Sequence, residues 1–131
     1  MLLPSEGRQG PTPPWPLPPS IKIDALNLAE IELEVWAEAW ATPQAVAWER
    51  LGWTRDVAQY VRWKVLGEAG GLDEAKEARQ WSDRLGLSPL ALLRLNWSVV
   101  QDELAEQRET SKPDETSPKR RLKVAGAVAR S

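Results

Sequence analysis

The chain contains no cysteine and no histidine. Disulfides and thiolate metal sites are therefore excluded. So are the usual general base near neutral pH and the commonest metal ligand. Phenylalanine is absent too, and tyrosine and methionine occur once each. No apolar run approaches the roughly 20 residues that span a bilayer, so no membrane association is expected. The opening residues, Met1-Leu2-Leu3-Pro4-Ser5-Glu6, lack the basic region and apolar stretch of a secretion signal. A reducing cytoplasm is the expected compartment. No phosphate-cradling glycine loop of the Walker type is present. Acid pairs such as Glu30/Glu34, Glu34/Glu38 and Asp73/Glu77 lie four apart, which places each pair on one helix face as ordinary solvated surface. No catalytic or metal site is expected, and no cofactor; the chain does not read as an enzyme.

What remains is rich in tryptophan, with eight in 131 residues. Large aromatics of this kind generally fill cores. Three regions separate by composition. Residues 1–23 carry most of the prolines, in Gly10-Pro11-Thr12-Pro13-Pro14-Trp15-Pro16-Leu17-Pro18-Pro19. Because proline fixes φ and lacks an N–H, this region is expected to be an extended arm. Residues 24–106 hold seven of the eight tryptophans and nearly all the long apolar side chains. Residues 107–131 are polar, broken by Lys112-Pro113 and Ser117-Pro118, and read as a disordered basic tail.

The formal charge of −2 conceals a partition. The middle region has fifteen acids against eight bases, and the last 25 residues have seven bases against three acids. The run Lys119, Arg120, Arg121 and Lys123 is a candidate electrostatic arm for a polyanion, with simple solubilisation as the plainer explanation.

The expected fold class is all-α: a compact domain of about five helices, with the proline-rich arm and the basic tail outside it. Apolar spacing places a first helix at about 27–41, whose broad apolar side includes Ile31, Val35, Trp36 and Trp40. Thr42-Pro43 is a helix-start signature for a second helix to Leu51, closed by Gly52. Thr54 is the candidate cap of a third, running to about Leu66 with Val57, Val61 and Val65 inward. A fourth covers about 72–85, with Leu72, Ala75, Ala78, Trp81 and Leu85 on its apolar side. Ser88-Pro89 opens a fifth, to about Glu106, with a stripe of Leu90, Leu93, Trp97, Val100 and Leu104. No sustained period-two alternation is present, so strands are not expected.

The helices flanking Gly52 have the outline of a helix-turn-helix. Arg55, Gln59 and Arg62 fall on one face of the second of them, opposite the valines, and such side chains contact phosphates or base edges. An ordinary solvated face fits the same pattern. Trp15 stands apart from any helical periodicity: it either folds back onto the helical body or anchors a partner.

Two segments carry a resemblance. The stretch from 81 to 95, with Trp81, the turn Gly86-Leu87-Ser88-Pro89 and Arg94, resembles the C-terminal signature of bacteriophage terminase small subunits. The stretch Glu34-Val35-Trp36 through Trp40-Ala41-Thr42-Pro43 to Trp48-Glu49-Arg50, with the proline-rich opening around Trp15, looks like the version carried by actinobacterial phages. Family members often have two arginines, two residues apart, in the helix after the proline; here those positions are Leu92 and Arg94. The resemblance spans roughly residues 7–105. It implies a protein of the infected host's cytoplasm that binds double-stranded viral DNA for packaging, assembles as a homo-oligomeric ring and regulates a large subunit holding the ATPase and nuclease. Under this reading the DNA contacts are Arg50, Arg55, Gln59 and Arg62 with Lys119, Arg120, Arg121 and Lys123. Ile31, Val35, Trp36 and Trp40 form the subunit interface, and Trp15 meets a partner. The alternatives are a dimeric helix-turn-helix regulator and a helical protein–protein adaptor that does not bind DNA.

Overall fold

A computed structural model describes residues 1–100. The tail and its basic run at 119–123, the stretch to Glu106 and Leu104 all lie outside the described residues. Within them the chain is mainly helical: α1 (Ile21–Ala25), α2 (Ala29–Trp40), α3 (Gln44–Leu51), α4 (Thr54–Glu68), α5 (Leu72–Arg84) and α6 (Pro89–Leu95). Two short strands, β1 (Leu2–Pro4) and β2 (Ser98–Val100), pair in parallel with Leu3 opposite Val99.

The compact, mainly helical fold is the one expected; the two short strands are an addition to it that the sequence reading did not expect. Three-residue strands are too short to show alternation, and their partners lie nearly the whole described chain apart. The pairing shortens the last helix. Asn96 adopts a left-handed conformation at φ 61°, ending α6 at Leu95 instead of near Glu106. Asparagine is, after glycine, the residue that best tolerates this cap. As a result Trp97 does not extend a helical stripe; it turns into the core at 7% exposure. Leu90 and Leu93 point outward, as does Leu72 on α5.

Helix starts were partly legible. The Ser88 Oγ accepts from the Ala91 N–H at 3.1 Å, with Pro89 in the first turn, so this cap forms as its residues predict. Thr42 and Thr54 do not cap. The Thr42 hydroxyl donates backward to the Ala39 carbonyl at 2.7 Å, and Thr54 is already inside α4. The first predicted helix, at about 27–41, is α2; ahead of it Ser20 caps a short α1 that the spacing did not predict, and Asn27 at φ 55° separates the two.

The core is built around α4, whose Val57, Ala58, Val61 and Val65 are all nearly inaccessible. They recur at i, i+1, i+4 and i+8, one broad helical face. Helix α5 returns along α4, and α2 packs against α4 as well. Gly67 permits the close α4–α5 approach, since a Cβ there would lie 2.8 Å from the Ala75 Cα. Gly86 ends the α5 turn at φ 80°, and a Cβ on it would meet the Trp97 ring at 2.5 Å. Both conformation and space therefore require glycine at 86.

The proline-rich segment is not a free arm. Leu3 is fully buried in the core, and Trp15 and Leu17 pack onto it. Arg8 ties the segment down: its backbone N–H donates to the Thr42 carbonyl at 3.1 Å. Its guanidinium donates twice to Glu49, both at 3.1 Å, and lies over the Trp40 ring.

Candidate nucleic-acid interface

The expected DNA-facing surface starts from α3, the Gly52 turn and α4. Gly52 adopts φ 73° and ends α3 as glycine can. The geometry then departs from an open reading helix. Because α2 and α5 both cover α4, its fully exposed residues are Arg55, Asp56 and Glu68. A helix that enters a major groove presents a row of side chains to it, and this one presents a single arginine flanked by an acid.

Arg62 is withdrawn from that surface. It donates to both oxygens of Glu32, at 2.8 and 3.3 Å, and the two side chains are only 12% and 5% exposed. Its guanidinium also lies 5.4 Å from the Trp15 ring centroid. A buried, two-pronged arginine–carboxylate pair is a structural element, because leaving either charge alone would be costly. The sequence could not reveal the pairing, since Glu32 lies on another helix. Gln59 is half-buried. Arg55 keeps an exposed guanidinium that touches the Pro16 carbonyl at 3.3 Å. Arg50 is exposed on α3 and, among the described residues, makes no ion pair or side-chain hydrogen bond. Of the four arginine and glutamine positions, Arg50 and Arg55 are therefore the ones able to reach a phosphate.

The proposed subunit interface is corrected similarly. Trp36 and Trp40 are each 2% exposed, so they are core residues and cannot meet another subunit. They belong to a file of indoles packed edge to face: Trp15 on Trp36 at 5.1 Å, Trp36 on Trp40 at 5.6 Å, and Trp40 on Trp48 at 5.6 Å. Aromatic pairs prefer this edge-on geometry. Val35 is half-buried against the same core, and Ile31 alone of the four stays exposed, beside Leu33. The apolar stripe of α2 was legible in sequence, but a stripe does not say whether it faces the chain's own core or a neighbour.

Trp15 resolves toward the body. Besides meeting Trp36 edge-on, it is held by its neighbour Pro13, whose carbonyl accepts from the Trp36 Nε1–H at 2.7 Å. Under it runs a cleft of about 270 Å³, between the segment at 15–20 and α1 and α2, with the Glu32–Arg62 pair in its wall. A second cavity, of about 260 Å³, opens between α4 and α5, lined by Trp53, Asp56, Trp81, Arg84 and Leu85. Sequence reading assigned nothing to this second site. Trp53 and Trp81 carry the signal, as aromatics at the ends of their helices that are left half-buried.

Electrostatic effects elsewhere are local. The Arg8 hydrogen bonds hold the Glu49 carboxyl below its ordinary range. The Lys22–Glu74 bridge, 2.6 Å long, raises the ammonium and lowers the carboxyl, and ties α1 to the first turn of α5. Burial raises the Tyr60 phenol. Among the described residues no group of three or more acidic side chains is placed to hold a metal ion, and no helix is long and apolar enough to cross a membrane.

No protein-family model matches this chain, and neither does any curated protein or solved structure.

Proposed function

We propose that the chain acts as a small terminase subunit: a homo-oligomeric protein that recognises double-stranded viral DNA in the infected bacterial cytoplasm and regulates the large subunit's ATPase and nuclease. It has no catalysis of its own in this reading. The resemblance at 81–95 and 34–50 motivates the proposal. The structural observation that carries it is the outer face of α6. Leu90 and Leu93, one helical turn apart, are 70% and 77% exposed, with Arg94 beside them. Scattered exposed leucines are ordinary, but two on one face of a seven-residue helix leave an apolar ridge that is uncovered among the described residues. The outer side of α2 offers Ile31 and Leu33, 43% and 51% exposed, beside Glu30 and Glu34, which form no ion pair among the described residues. An apolar-basic ridge and an apolar-acidic face suit a head-to-tail contact, the type that closes into rings.

DNA contact in this reading belongs to Arg50 and Arg55, together with Lys119, Arg120, Arg121 and Lys123. One arginine or two per subunit is weak, and ring assembly supplies the avidity. Two carbonyls of the proline-rich segment, those of Pro13 and Pro16, accept from the chain's own Trp36 and Arg55, which disfavours an adaptor that would use it as a ligand.

Light scattering of the full chain, with and without duplex DNA, tests this reading. The expected result is a discrete closed assembly larger than a dimer, dispersed by Leu90→Asp with Leu93→Asp. DNA affinity should fall as a power of salt, with a log–log slope of about −0.9 per phosphate neutralised. A dimer that binds a palindrome would favour the helix-turn-helix regulator instead. Absence of DNA binding at every salt concentration would favour the adaptor.

A further inference from the structure

The cavity between α4 and α5 has an unusual composition for its size. Trp53 precedes the first residue of α4, and Trp81 sits one turn before the end of α5. Each indole packs against another at a tilt. Trp53 packs against Trp97 at 6.0 Å, and Trp81 against Trp63 at 5.9 Å. Leu85, 1% exposed, contributes a buried apolar wall. Two opposite charges, Asp56 and Arg84, line the same space. Arg84 lies over the Trp81 ring at 5.1 Å, yet among the described residues neither Asp56 nor Arg84 engages in an ion pair or side-chain hydrogen bond. A carboxylate and a guanidinium that share a cavity without pairing leave one acceptor edge and one donor fork open to a third molecule.

The charges restrict what that molecule can be. A cation would be attracted by Asp56 and repelled by Arg84, and an anion the reverse. A neutral planar ring satisfies both if it carries donors on one edge and acceptors on the next, with faces that lie against indole. The volume of about 260 Å³ lies just under the range of about 300–1,000 Å³ typical of drug-sized ligands, which suits one heterocycle. Among nucleobases, guanine offers adjacent N1–H and N2–H donors for a carboxylate, and O6 and N7 acceptors for an arginine fork. Adenine and cytosine have only a single amino donor group, and thymine one ring N–H. Aromatic stacking with arginine support is also how unpaired bases are generally held.

We propose that this cavity binds an unpaired guanine base, stacked against Trp53, with Asp56 accepting from N1–H and N2–H and Arg84 donating to O6 and N7. The base must be unpaired because Asp56 needs the edge that duplex pairing occupies. This site is independent of the packaging role proposed above and requires neither duplex recognition nor oligomerisation.

The test is fluorescence anisotropy of the full chain with labelled single-stranded octamers of thymidine, carrying at one central position guanine, deoxyinosine, adenine or cytosine. The guanine octamer is expected to bind at least about tenfold tighter than all-thymidine, the scale of one good bidentate contact. Deoxyinosine, which lacks the N2 amine, should lose a large part of that preference. Asp56→Asn and Arg84→Gln change exposed side chains and keep the fold, which circular dichroism verifies; each should erase the guanine preference while leaving thymidine binding unchanged. The basic residues at 119–123 contribute equally to every arm and cancel. Competition by 5′-GMP as effective as the guanine octamer would assign the site to free nucleotides; competition only by the oligomer would assign it to single strands. Equal binding of all octamers, or a guanine preference that survives Asp56→Asn, would overturn the proposal. So would saturable occupation by an acetylated arginine amide that Asp56→Asn removes while no octamer shows a base preference, which would assign the cavity to a protein partner.

Discussion

Arg62 on α4 and Glu32 on α2 share two hydrogen bonds beneath the Trp15 ring, so one buried ion pair joins two helices and the proline-rich segment. A surface arginine on α4 would cost little to replace. Here Arg62→Ala is expected to destabilise the chain by about 3–5 kcal/mol, because it strands a buried carboxylate. Arg62→Met with Glu32→Leu removes both charges and should recover most of the loss. Urea titration of the two variants checks this, and equal destabilisation by both would contradict the pair's role.

Trp40 and Trp48 stack edge to face, but their indole N–H groups fare differently. The Trp48 Nε1–H donates to the Leu85 carbonyl at 2.8 Å, whereas the Trp40 Nε1–H is buried without an acceptor among the described residues. An unmet buried donor costs about 1–3 kcal/mol. Trp40→Phe relieves that cost as it loses ring volume, and its net effect should be small. Trp48→Phe loses the same volume and also leaves a carbonyl unpaired. The expected order in unfolding free energy, from urea titration, is wild type close to Trp40→Phe, with Trp48→Phe lower by at least about 1 kcal/mol.

Tyr60 is the only tyrosine, so its titration can be followed without ambiguity. Desolvation raises its folded pKa above the ordinary value of 10.0, with nearby Lys64 acting in the opposite sense and Glu68 in the same one. A raised folded pKa means that the native state holds the proton more tightly. The corresponding stability is fully present below pH about 10 and is lost as pH rises through the folded value. Absorbance near 295 nm should show a tyrosinate midpoint above that of the same chain in urea. Coincident midpoints would refute the burial effect.

Two residues with similar sequence credentials should behave differently on truncation. Ser88→Ala removes a formed cap and is expected to cost about 1 kcal/mol. Thr54→Ala removes no cap and should stay within about 0.5 kcal/mol. Thermal denaturation of both variants is sufficient, and equal effects would mean that the Ser88 bond contributes nothing.

This contrast shows what was legible in the sequence. Ser88-Pro89, Gly52 and Gly86 act on their immediate neighbours, and each falls where local rules place it. The Val57/Val61/Val65 face was equally clear, because three inward valines at four-residue spacing leave α4 no other orientation. Contacts between distant segments were not legible. The sequence marks Trp36 and Trp40 as apolar but does not reveal that Trp15, Arg8 and Trp48 cover them. It marks Arg62 as cationic but not that Glu32 neutralises it. The two strands are held by pairing alone, with no periodicity to announce them. Asn96 was a usable signal for the end of α6, followed as it is by the β-branched Val99 and Val100. The cavity between Trp53 and Trp81 required the α4–α5 hairpin before its four polar and aromatic walls could be seen together.

The β1–β2 pairing also sets an order of events during synthesis. Leu2, Leu3 and Pro4 leave the ribosome well before their partners Ser98, Val99 and Val100, which come almost a hundred residues later. Contacts so distant in sequence form only after a long loop has closed. Until then Leu3, fully buried in the finished fold, has no strand beside it. The helices from α2 to α5 can assemble from neighbours already made, so the domain is expected to be sealed last at the seam where its first and final described elements meet. A nascent chain stalled before Ser98 would hold a formed helical core with its leading strand still open to proteases.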